Sequence, residues 1–162
     1  MELPSSGHFS RDLQDPGVSV RSLSAIEAAQ SHLELCIAAF ESILGEYAPA
    51  DMAQFGVVRF RLCRANLART QVAREICSHL LSSMPVSETT ALRNLHQCEI
   101  EHFQLISQHV QQWTSDELQR NWPVYCMATR KLLDRTRELI ATEKQLLFPL
   151  LAGIGAQRSV GP

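Results

Sequence analysis

Residues 122–151 read WPVYCMATRKLLDRTRELIATEKQLLFPLL, and along them Tyr125, Thr129, Leu132, Thr136, Leu139, Glu143, Leu146 and Leu150 recur at alternating spacings of four and three. That period puts them on one face of a long helix, with Pro123 suited to its first turn and Gly153 and Gly155 past its end. The rhythm recurs upstream. Ile26, Gln30, Leu33, Ile37, Phe40, Leu44 and Tyr47 form one stripe beginning near Ser24. Phe55, Val58, Leu62, Ala65, Val72, Ile76 and Leu80 form another behind Asp51, a capping residue by type. After Ser87 and Glu88 come Leu92, His96, Glu99, Phe103, Ile106, Val110 and Trp113, and a short turn capped by Thr114 or Ser115 leads to the last helix. Four long amphipathic helices with short connections and no strand pattern predict an all-α chain, an antiparallel up-down-up-down four-helix bundle. The bundle is expected over residues 23–152, with a flexible N-terminal segment at 1–22 and a C-terminal tail at 153–162.

The chain of 162 residues is 45% hydrophobic and 20% charged, the composition of a single domain rather than two. Its net charge of −2 supplies no field that would favour nucleic acid or an anionic membrane, and no apolar run reaches the roughly 20 residues of a membrane span. Thirteen Arg stand against two Lys, and the run Arg59, Arg61, Arg64, Arg69 and Arg74 reads as a mostly solvated face. Five cysteines, spread singly and odd in number, argue against a disulfide framework and a thiolate zinc site. With no basic, apolar leader at the start, the expected compartment is the cytoplasm. A bundle of this length can bury enough leucine, isoleucine and aromatic surface to stand alone, so a monomer or weak homodimer is expected.

The ionisable residues inside these stripes are the informative ones, because an unpaired buried charge costs several kcal/mol. Glu143 lies between Leu139 and Leu146. Glu75 and His79, four apart, share a helix face and could address one metal ion. His96 and Glu99 lie in the third stripe with Glu101 and His102 at its edge, and His32 stands beside Leu33 in the first helix. Two readings of Glu143 stand side by side: metal ligation, or a buried ion pair with Arg69. Either His96 or His102 reaches the interior, depending on the register of the third helix.

Residues 139–151, LIATEKQLLFPLL, resemble the last helix of hemerythrin-like (HHE cation-binding) domains, where a histidine is followed four residues later by a metal-bridging glutamate and a Leu-Phe-Pro-Leu-Leu close. Glu143 matches that glutamate, while Leu139 holds the histidine position and Thr142 another position that is often histidine. Residues 75–85, EICSHLLSSMP, are similar to a second ligand segment, with Glu75 on the family's histidine and His79 on its glutamate, so their order is swapped. Glu101-His102-Phe103 resembles the Glu-His pair of a third segment, and His32 in QSHLEL is similar to the first-helix histidine. The resemblance covers roughly residues 24–152. It implies an up-down bundle with an iron centre, mono- or dinuclear, held by His32, Glu75, His79, His102 and Glu143, and the departures imply that this centre is altered or lost.

A hemerythrin-like, non-enzymatic binding or sensory protein is therefore the first expectation, with an unidentified protein partner and neither nucleic acid nor membrane. The alternative keeps the helices and discards the metal: an interaction module or chaperone-like protein that binds a partner helix. No nucleophile elbow, phosphate-binding glycine loop or catalytic cysteine setting argues for an enzyme.

Overall fold

The structure, a computed structural model, describes residues 16–45 and 47–156, with side chains between 21 and 153. Five α-helices follow one another: α1 (Pro16–Glu41), α2 (Met52–Ser83), α3 (Thr90–Gln112), α4 (Ser115–Arg120) and α5 (Trp122–Ala156), with a 3-10 turn at Val86–Glu88 and no strand among the described residues. Helix α1 starts at Pro16 rather than near Ser24, so residues 16–22 of the expected flexible segment are helical. Proline loses nothing at a first helical position, where its missing N–H would have had no partner. Helix α5 likewise runs past Gly153 to Ala156, while residues 1–15 and 157–162 of the two expected tails lie outside the described residues.

The helix ends follow local chemistry. Asp51 Oδ1 accepts the Gln54 N–H at 2.9 Å, and Thr114 Oγ1 accepts the Glu117 N–H at 3.4 Å, each satisfying one of the donors a helix N-terminus leaves free. Ser87 and Glu88 open no α-helix. They form the 3-10 turn, whose Val86 carbonyl accepts the Thr89 hydroxyl at 2.8 Å, and α3 begins one residue later. Because α1 ends at Glu41, Tyr47 falls beyond the helix and is exposed rather than continuing the stripe.

Helix α1 packs against α2 and α5, and α3 packs against the same two, so each long helix has two principal neighbours. At one end of the interior the rings of Phe40, Phe55, Trp122 and Tyr125 pack together, with Phe55 5.5 Å from both Phe40 and Trp122 and the Trp122 indole donating to the Gly45 carbonyl at 3.0 Å. At the other end Ile26, Ile76, Leu80, Leu92, Leu95, Leu147 and Leu151 form an aliphatic cluster. The inward line of α3 is Leu92, Leu95, Glu99 and His102, with Phe103 and Val110 left partly in water. The register that turns His102 inward is therefore the one adopted. No described helix is long and apolar enough to cross a membrane. Cys36, Cys63, Cys77, Cys98 and Cys126 are all free thiols.

Candidate functional site

Between the aromatic and aliphatic clusters each long helix contributes polar side chains to one buried layer. Arg69 of α2, fully buried, is its centre. Its guanidinium meets the Glu99 carboxylate of α3 with two bonds, Nη1 to Oε1 at 2.7 Å and Nη2 to Oε2 at 2.9 Å, the forked geometry that arginine alone provides. Nη1 also donates to Glu143 Oε1 of α5, and Nη2 to the neighbouring Thr70 hydroxyl at 3.0 Å. The other oxygen of Glu143, Oε2, accepts the Gln30 amide of α1 at 2.7 Å. One turn beyond Glu99, His102 is buried with its Nε2 3.0 Å from the Thr136 hydroxyl of α5, which itself donates to the Leu132 carbonyl.

The charges of this layer do not balance if every acid is ionised, since one guanidinium faces two carboxylates. Burial, then the neighbouring Glu99 carboxylate, pushes Glu143 up to about 8 against the pull of Arg69. Burial works against the charge of Arg69, but the two acids outweigh it and raise its pKa. The same burial, reinforced by Arg69, lowers His102 to about 4 and keeps its imidazole neutral. Cys77, beside the layer, is raised to about 12 by burial and by the two glutamates, which makes it an inert thiol.

Of the residues singled out from sequence, the structure brings Glu143 and His102 into the layer and leaves the others outside it. His32 is exposed, with its Nε2 3.8 Å from Cys36 Sγ. Glu75 is exposed and His79 half-buried, and both line an outer depression between α1 and α2. His96 is half-buried, and Glu101 is exposed and bonded to Gln97. Arg69 departs from the solvated arginine face, as does Arg59, which is half-buried and donates to the Trp113 and Val110 carbonyls at the end of α3.

Glu99, read from sequence as an inward residue of the third stripe but not placed in the metal-ligand set, and Gln30 complete the site. The signal for Glu99 was its place in the four-three stripe, and its spacing of three from His102 puts both on one helix face. Nothing in the sequence marked Gln30 beyond its place in the stripe.

The donors do not fit an iron centre. Among the described residues no three of His, Cys, Asp and Glu lie close enough together to hold a metal ion. The two inward carboxylates close on a guanidinium, whose fixed positive charge at hydrogen-bond distance opposes a second cation. Leu139, at the position of the family's histidine, offers no donor and packs in the aliphatic cluster. Comparison with protein-family models, with curated proteins and with solved structures finds no match.

Proposed function

We propose that the four long helices form an antiparallel up-down-up-down bundle of hemerythrin-like type in which an arginine takes the place of the metal, and that the protein is a cytoplasmic, non-enzymatic binding protein. The pairing of α1 and α3 each with α2 and α5 supports the bundle, since a closed ring of four gives each helix two principal neighbours. The free thiols suit a reducing compartment. The observation that carries the reading is Arg69 bridging Glu99 and Glu143, because the glutamate of the Leu-Phe-Pro-Leu-Leu helix is already engaged by a side chain of the protein itself. Protein purified from iron-supplemented cells tests it, with metal analysis and visible spectra recorded anaerobically and in air. The reading expects no stoichiometric iron and superimposable spectra, and iron with a visible band that changes on aeration overturns it.

A second reading, an interaction module for a partner helix, is favoured by one surface. Phe60 and Leu67 on α2 and Phe103 and Val110 on α3 are all at least partly exposed, at the seven-residue spacings that form a continuous stripe along each helix. Recovery of one stoichiometric partner by the wild-type chain but not by Phe60→Asp would favour this reading, and equal recovery by both would count against it.

A further inference from the structure

Next to the ionic layer, toward the aromatic end, the four long helices do not close completely. A cavity of about 50 Å³ remains there, bounded by Leu33 and Ile37 of α1, Asn66 of α2, Ile106 of α3, and Thr129 and Leu133 of α5. Beside it, between α2 and α3, runs an open groove of about 310 Å³ floored by Leu67, Phe103 and Ser107. Cys63, Asn66, Ile106 and Val110 line both spaces, so these four form the neck between an interior chamber and the surface.

The neck contains an unmet polar group. Asn66 is 5% exposed, and its Oδ1 has no hydrogen-bond partner among the described residues. A buried acceptor left without a donor is costly, and such atoms are uncommon in folded proteins. Aliphatic and aromatic side chains make up most of the other chamber walls, and the polar neighbours have partners of their own, Arg59 donating to the Trp113 and Val110 carbonyls. His109 Nε2 lies 3.0 Å from the Thr129 hydroxyl, and burial followed by the nearby Arg59 lowers this imidazole to about 4, so it brings no charge. Thr136 is occupied by His102 and the Leu132 carbonyl.

We infer that this chamber and its groove are a binding site for a small neutral amphiphile: a short alkyl tip enters the chamber, an N–H or O–H at its base donates to Asn66 Oδ1, and an apolar body lies in the groove along Leu67 and Phe103. The chamber sets the tip. At about 50 Å³ it is a third of the roughly 150 Å³ that accommodates a benzene ring, so it takes a short chain and excludes an aromatic ring. The groove, lined by half-exposed apolar side chains, takes the ring or longer chain that the chamber excludes. The unmet group at the neck is an acceptor, which calls for a donor rather than a carboxylate, and Arg59, the cation that lines the chamber, already donates to the Trp113 and Val110 carbonyls. The site uses neither Arg69 nor either glutamate, so it stands or falls independently of the metal question.

N-propylbenzamide and propyl benzoate make the test, since they share the propyl tip and phenyl body and differ in the N–H. Calorimetric or NMR titration of the full chain should show the amide saturating with a Kd about tenfold below that of the ester, the equivalent of one satisfied acceptor at about 1.4 kcal/mol. Asn66→Leu should bind the two compounds equally. Ile106→Phe, which narrows the neck without touching Asn66, should lose both and serves as the second variant if Asn66→Leu does not fold. No saturable binding of either compound to the wild type, a preference for the ester, or undiminished binding by Ile106→Phe would overturn the assignment.

Discussion

At the aromatic end of the interior, Phe55 is held by ring contacts to Phe40, Trp122 and Tyr125, and any one of these could change while the others kept most of their packing. In the ionic layer Arg69 is held by bonds to Glu99, Glu143 and Thr70, and no partner can be removed without leaving another group unsatisfied. The difference is one of tolerance rather than of strength. Apolar packing is non-directional, and its loss costs area and a cavity. A buried ion cluster can contribute little net stability against a well-packed apolar equivalent, yet breaking it strands a charge away from water. Such a layer is also a means of fixing helix register, because only one alignment of α2, α3 and α5 brings the guanidinium to both acids.

Substitutions can break that contrast. Arg69→Met should be the most damaging single change, costing roughly 5 kcal/mol because two acids lose their only cation, and urea denaturation would measure it. Phe55→Ala should cost about 3–4 kcal/mol in the same assay. The sharper comparison replaces the whole layer: Arg69→Met with Glu99→Leu and Glu143→Leu should recover most of the loss, or exceed the wild type, whereas no second-site change at Phe40 or Trp122 should rescue Phe55→Ala. If the triple variant is no more stable than Arg69→Met, the layer is not a self-contained electrostatic unit.

Titration sharpens the contrast further, because only the polar part of the core responds to pH. Glu143 has a folded-state pKa raised to about 8, so its contribution is complete below the ordinary glutamate value and is lost as pH rises through about 8. His102 and His109 are lowered to about 4, so their contribution is complete above about 6.5 and is lost as pH falls toward 4. The midpoint of unfolding should therefore peak near pH 6.5, and thermal melts across that range would show it. Glu143→Gln should keep the acid limb and flatten the alkaline one. The smallest effect belongs to the surface: Arg137 holds both Glu41 oxygens, at 2.8 and 2.6 Å, yet stays 45% exposed, and Arg137→Ala should cost less than about 1 kcal/mol by denaturant midpoint.

Helix content was legible in the sequence because the four-three rhythm is a direct consequence of helix geometry. The site was legible only in part, for the same geometric reason. Each residue turns about 100° around a helix, so a residue adjacent in sequence to a core position at the edge of the inward face can point to water. His32 precedes Leu33, Glu75 precedes Ile76 and His79 precedes Leu80, and in each case the second residue is buried while the first is turned away. Glu143 was readable because Leu139 and Leu146 flank it at four and three. Arg69 was readable as its counter-ion, but the choice between arginine and metal needed coordinates, since spacing records which face a residue occupies and not what stands opposite. The resemblance pointed to His102, and the four-three stripe of the third helix pointed to Glu99.

The central claim is that the protein supplies its own cation at this site. Thermal melts of the wild type and of Arg69→Ala, each with a chelator and each with added Co(II), test it most directly. The account predicts a wild-type midpoint that neither chelator nor cobalt moves, and an Arg69→Ala midpoint well below it that cobalt does not restore, because the donors described around Arg69 do not lie close enough together to hold an ion. A wild-type midpoint that falls in chelator would contradict it.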